Sequence, residues 1–224
     1  MNQTKELHKW SEKRRIFHST VFPLFLLFLM FSVRAIESLE MANWYWLGIK
    51  PLSLEGLLGI ITMPFKHAGW GHFFNNAPSF LILAVCLFYF YRPIGYKVFF
   101  TIYLLSGMWL WLLARDSWHV GASGLIYGLA SFLFTSGIQR RHIPLMAIAL
   151  LVVFQYGGLV WGIFPTHGFD THSWEGHYWG TLAGLVTAFL YKNEGPQKPK
   201  PIWDEPEEPE EENPYWKQNA EETP

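Results

Sequence analysis

Trp118-His119-Val120-Gly121-Ala122-Ser123-Gly124-Leu125-Ile126-Tyr127-Gly128 opens a long apolar segment. Its small residues govern packing, because Gly124 and Gly128 form a small-xxx-small pair that lets membrane helices approach closely. Ser123 sits between glycines where hydrocarbon-compatible residues are expected, and an unpartnered hydroxyl in lipid costs free energy. Two readings stand: a packing serine or a nucleophile. The stretch is not the nucleophile elbow of soluble hydrolases, which needs glycine two residues after the serine, where Leu125 stands.

Around this stretch the chain has the composition of a polytopic membrane protein. Half of the 224 residues are hydrophobic and 18% aromatic, gathered into blocks, while charge collects at the two ends and in short loops. A net charge of −1 gives no sign of a nucleic-acid partner. The single Cys86 excludes an internal disulfide, a cysteine-rich zinc site and a redox pair.

The blocks predict an all-α fold with six spans. Residues 1–16 form a basic segment with Lys5, Lys9, Lys13, Arg14 and Arg15, and a retained first span follows at Phe17–Val33. No small-residue cleavage site follows it, so it is not a secretory signal. A long first loop, 34–71, carries Trp44, Tyr45 and Trp46 and is expected to lie at the membrane boundary as an aromatic belt or a side wall. Further spans are expected at about His72–Tyr91, Gly95–Ala114, Val120–Gly137, Pro144–Phe164 and Trp174–Tyr191. The stretch 193–224 is rich in Pro and Glu and reads as a disordered, solvating tail. With the amino terminus cytoplasmic, only Arg34, Lys50, Lys66 and Arg115 of the 17 basic residues fall outside, so both termini are expected in the cytoplasm.

Three polar residues then share one depth. Asn76 lies 16 residues before Arg92, Ser123 lies 17 before Arg140, and His177 lies 15 before Lys192. At about 1.5 Å per residue these place all three roughly 22–26 Å above the inner boundary of a core about 30 Å thick. Intramembrane polar groups at a common level are a functional-site hypothesis. A serine hydroxyl needs a base to remove its proton, and histidine suits that task near neutral pH. Asn76, His72 and the Ser123 backbone N–H at a helix start are candidate oxyanion donors. No acidic residue shares the level, so a Ser–His dyad without an aspartate is expected. Glu175 reads as a solvated acid at a helix start. Gly124 and Gly128 on one span and Gly180 and Gly184 on another form two ridges that bring Ser123 and His177 into reach.

These residues resemble the rhomboid family of intramembrane serine proteases. The matching pieces are Gly121-Ala122-Ser123-Gly124 with Tyr127 one turn on, His72 with Asn76, and His177 with Gly180 and Gly184. The resemblance covers about residues 17–192, with the six-span order and the long first loop. It implies Ser123 as nucleophile, His177 as general base, and His72, Asn76 and the Ser123 backbone as oxyanion hole. It further implies Tyr127 stacked on His177, or else a core aromatic, and His67 as a brace for the first loop. Gly121, Gly124 and Gly180 support the site. Implied partners are the bilayer and membrane-anchored proteins cut in or near their transmembrane segment, with no cofactor and no metal, in a bacterial plasma membrane. Two departures stand out: the first loop lacks a Trp-Arg pair, and Ser173-Trp174-Glu175-Gly176 replaces a run of small residues.

Three rival readings are weaker. An inactive rhomboid-like client-binding protein lacks the serine or histidine, and both are present. A zinc site from His67, His72, His167, His172 and His177 fails on spacing, because five-residue intervals do not align side chains on one helix face, and no His-Glu-x-x-His motif occurs. A transporter is disfavoured because no inverted repeat is visible and the polar level lies away from the midplane.

Overall fold

The computed structural model describes residues 2–164 and 173–199, with the side chains of 2–11 and of 159–160 left aside. Among these residues the chain forms seven α-helices: α1 (Asn2–Leu39), α2 (Gly59–Thr62), α3 (Trp70–Phe90), α4 (Gly95–Leu113), α5 (Ser123–Arg140), α6 (Ile143–Tyr156) and α7 (Trp174–Leu190). Three segments, Glu12–Leu39 of α1, α3 and α4, are long and apolar enough to cross a membrane. Large apolar side chains point outward along them, among them Phe17, Phe25, Phe28, Phe100 and Leu104, and on α6 Phe154 is 88% exposed. A surface this apolar fits hydrocarbon rather than water.

α5 is the centre. Gly124–Ala130, Phe132, Leu133, Ser136, Gly137 and Arg140 are all buried, so nearly every face meets protein. This explains why a helix of 18 residues tolerates glycine and serine: lipid does not select its composition. Its closest partner is α7, where Gly124, Gly128, Gly180 and Gly184 interlock. A Cβ on Gly124 would come within 3.0 Å of the Gly176 carbonyl, and one on Gly128 within 3.0 Å of the Gly180 carbonyl. Cβ atoms on Gly180 and Gly184 would drive into the Gly124 and Gly128 backbones. Phe80, Leu83, Leu87, Phe99, Ile102, Leu129 and Phe132 fill the remaining core.

The ends of the bundle are tied by buried charge. At the C-terminus of α5 Arg140, favoured there by the helix dipole, donates to Ser136 Oγ (2.8 Å), the Tyr191 carbonyl (2.7 Å) and the Pro196 carbonyl (2.8 Å). The first residues of the acidic stretch therefore rest on the bundle, with Glu194 also paired to Lys97 at 2.8 Å. At the other end Glu37 Oε1 meets Lys66 Nζ at 2.5 Å with both side chains inaccessible, and accepts the Trp44 backbone N–H at 2.8 Å. Lys66, expected in an external loop, is thus a buried partner and not a solvated charge.

The segment 40–69 is held to the chain before α5. Ile49 and His119 exchange backbone hydrogen bonds of 2.9 and 2.8 Å, and Gly121 N–H donates to the Met63 carbonyl at 3.1 Å. Three helices, α1, α5 and α6, differ from their expected bounds by three residues or more. α1 runs unbroken from Asn2 to Leu39. α5 begins at Ser123 because Gly121 adopts φ +111°, a conformation that side-chain-bearing residues rarely take. α6 ends at Tyr156, and a tighter 3₁₀ stretch covers Gly157–Ile163.

Glu37 also faces Arg34 Nη1 at 3.4 Å, so removing Glu37 strips the fully enclosed Lys66 of its counter-charge, whereas removing Lys66 leaves Glu37 beside Arg34. Glu37→Ala is expected to lower unfolding stability in detergent by about 3–5 kcal/mol, Lys66→Ala by less, and Glu37→Leu/Lys66→Met to recover most of the Glu37→Ala loss. A double variant no more stable than Glu37→Ala contradicts this account.

Candidate active site

Ser123 opens α5 directly after the Gly121 turn, and His177 lies one turn into α7, below its N-cap Ser173. Ser123, His177, His72, Ser173, Ala68, Trp118 and Val120 line one cavity of about 150 Å³. The histidine is fixed on two sides. Its Nδ1 lies 2.8 Å from the Gly162 carbonyl, which can only accept, so Nδ1 carries the hydrogen and Nε2 presents its lone pair. Its ring lies on Tyr127 with centroids 4.2 Å apart and planes 5° from parallel. Tyr127 is one turn along α5 from Ser123, so one helix supplies both the hydroxyl and the platform for the imidazole.

Glycine is required at two places around this pair. A Cβ on Gly121 would reach within 2.6 Å of the His72 ring and 3.7 Å of Asn76 Nδ2. That close approach brings His72 and Asn76, on the first turns of α3, against the loop carrying Ser123. A Cβ on Gly162 would strike the Tyr127 hydroxyl and come within 3.2 Å of His177 Nδ1. Asn76 Nδ2 is buried with no hydrogen-bond partner among the described residues, an arrangement that costs about 1–3 kcal/mol.

Several contacts escaped the sequence reading. No aspartate was expected beside His177, and the group that orients it is the Gly162 carbonyl, which no side chain announces. Ser173 caps α7 by accepting the Gly176 N–H at 3.2 Å, and its Oγ also lies 2.6 Å from His119 Nδ1. A serine ahead of a helix start is a readable capping signal, whereas its second partner is not. Glu175 is not solvated: it is 4% exposed and meets Arg115 Nε at 3.2 Å. The acid was read as surface because its cation lies 60 positions away in another loop. Among the described residues no group of three His, Cys, Asp or Glu side chains is placed to hold a metal ion. His167 and His172 lie outside the described residues.

Burial favours the neutral form of two histidines in the loops. Burial, aided by the neighbouring His72, lowers the His67 pKa to about 3, and burial also lowers that of His119. His67 is fully enclosed, its ring 5.2 Å from His72 and 5.6 Å from Phe73. Its folded pKa lies below its unfolded value of 6.5, so as pH falls the unfolded chain takes up the proton first. This contribution to stability is intact above about pH 6.5 and is lost progressively toward about pH 3. The thermal unfolding temperature in detergent is expected to fall as pH is lowered through that window. His67→Phe should flatten the slope by up to one proton, about 1.4 kcal/mol per pH unit. An unchanged slope excludes His67 as its source.

Comparison with known proteins places the chain in a family. Residues 55–194 match the model of the Rhomboid domain. Uncharacterised proteins of Mycobacterium tuberculosis and Mycobacterium bovis are each 34% identical over 171 residues, covering 72% of this chain and 70% of theirs. A third, from Mycobacterium leprae, is 30% identical over 169 residues, covering 72% of this chain and 67% of its own. The family match spans α3 to α7 and every residue that lines the cavity, and the chain is an integral membrane protein belonging to the rhomboid family.

Proposed function

We propose that this chain is an intramembrane serine endopeptidase that cleaves membrane-anchored proteins in or near their transmembrane segment. The observation that carries the reading is the fixation of His177, by the Gly162 carbonyl and the Tyr127 ring, in the cavity that also holds Ser123. All of α1 and α3 to α7 cross the bilayer in this reading. α5 owes its lower apolar content to being enclosed by neighbours. Both termini lie in the cytoplasm of a bacterial cell, and the cavity opens near the outer face. The segment 40–69, with Leu52, Leu54 and Ile61 exposed, rests in the membrane boundary.

The chemistry follows from the groups in place. His177 Nε2 takes the Ser123 hydroxyl proton as Oγ bonds to the scissile carbonyl carbon. The oxyanion accepts hydrogen bonds from His72, from Asn76 Nδ2 and from the Ser123 N–H at the start of α5, where the helix dipole adds to them. His177 returns its proton to the departing amine. Water then attacks the acyl-enzyme by the same route and frees Ser123. The Gly162 carbonyl does for the imidazole what an aspartate does in soluble triads: it fixes the tautomer and orientation, without a buried negative charge.

Purified protein in detergent is expected to cleave a model transmembrane substrate and to react covalently with a fluorophosphonate. Ser123→Ala should abolish labelling and lower kcat by at least about 10³-fold, with His177→Ala similar. Asn76→Ala should lower kcat by about 10²-fold with little change in KM. Cleavage that survives Ser123→Ala removes the mechanism.

A further inference from the structure

A second cavity, about 430 Å³, lies at the opposite end of the bundle from the candidate active site. It is formed where the beginning of the apolar part of α1 passes the end of α3 and the start of α4. Its lining changes character along its length. At one end stand Arg15, His18 and Arg92; at the other stand Val21, Phe22, Phe25, Phe88 and Tyr96. On α1 the sequence of lining residues, 15, 18, 22 and 25, follows the helical repeat, so cation and aromatic share one stripe about 15 Å long.

The polar end is rigidly built. Arg15 donates through Nε and Nη2 to the Tyr89 carbonyl at 3.2 and 3.0 Å, and its guanidinium lies 4.2 Å from the Tyr89 ring centre. The buried Ser19 hydroxyl fastens the same turn by donating to the Arg15 carbonyl at 2.8 Å. Glu12, 3.7 Å from Arg15, offsets part of that charge, but Tyr89 also donates to it at 2.6 Å. Arg92 makes no ion pair among the described residues and is exposed at the boundary. At the apolar end Phe22 forms the floor, 5.4 Å from Phe88 and 5.3 Å from Tyr96.

We propose that this groove binds one anionic glycerophospholipid, its phosphodiester between Arg92, His18 and the outer edge of Arg15 and an acyl chain along Phe22 and Phe25. A free anion would use only one end of the groove, and a neutral hydrocarbon only the other. A molecule with one negative phosphate and an apolar tail matches both, and basic pockets between membrane helices at this level recognise such head groups. The groove belongs to the bundle end that carries Arg15 and Arg92, and its occupancy does not depend on the proteolytic reading.

The test is native mass spectrometry of the full-length protein in detergent with phosphatidylglycerol or phosphatidylcholine of the same acyl chains. Wild type is expected to retain phosphatidylglycerol preferentially. His18→Gln/Arg92→Gln changes two exposed side chains and should lower that retention at least about fivefold, the equivalent of about 1 kcal/mol per surface cation. Lys192→Gln/Lys198→Gln, at another basic site, should leave it unchanged, with equal thermal unfolding of all variants confirming that each is folded. Glycerol phosphate alone should not compete. Equal retention of the two lipids, no loss in the His18/Arg92 variant, or full competition by glycerol phosphate overturns the proposal.

Discussion

Backbone-to-backbone contact between α5 and α7 is the constraint on which the rest depends. Lipid tails are as apolar as leucine, so no hydrophobic force distinguishes one helix pairing from another; close fit does. Gly124, Gly128, Gly180 and Gly184 remove the side chains that would hold the axes apart. The same closeness brings Tyr127 flat against His177 and sets both beside the chain before Ser123. A methyl group at any of these glycines acts on the site through helix spacing rather than through chemistry.

Polar groups in such a setting need partners, and the molecule meets that need mostly with carbonyl oxygens. Arg140 ends on two backbone carbonyls, His177 on one, and Thr181 and Thr187 donate to carbonyls one turn back on their own helix. The charged exceptions are Glu175 with Arg115, and Glu37 with Lys66 and Arg34 at the end of α1, where the segment 40–69 closes over Glu37 and Lys66. Asn76 Nδ2, next to Gly121, is one of the buried side-chain atoms without a hydrogen-bond partner among the described residues. Its place beside the cavity suits the oxyanion role proposed for it, since such a donor is aimed where negative charge develops.

Much of this was legible beforehand, for identifiable reasons. α3 and α4 start and stop within two residues of expectation because their apolar runs end in Tyr91-Arg92-Pro93 and Ala114-Arg115-Asp116, signals that act locally. The glycine spacing on α5 and α7 is equally local, and the packing it implied is present. Of the three residues expected at one depth, Ser123 and His177 line a cavity together with His72, while Asn76 lies behind Gly121 rather than on its wall. What stayed hidden depends on partners distant in sequence. The pairing of Glu37 with Lys66, of Glu175 with Arg115, and of His119 with Ser173 joins loops whose proximity no periodicity encodes. The Gly162 carbonyl was invisible for a deeper reason: a backbone acceptor leaves no trace in residue identity.

The central claim is that Ser123, His177 and the oxyanion donors converge on one reacting centre. It is tested most directly by an experimental structure of the fluorophosphonate-treated protein, whose phosphonyl group mimics the tetrahedral intermediate. The account predicts phosphorus bonded to Ser123 Oγ, the phosphonyl oxygen within about 3 Å of Asn76 Nδ2 and of a His72 ring nitrogen, and His177 still stacked on Tyr127. Phosphorus on another residue, or an oxygen turned away from Asn76 with His177 swung off its tyrosine, contradicts it.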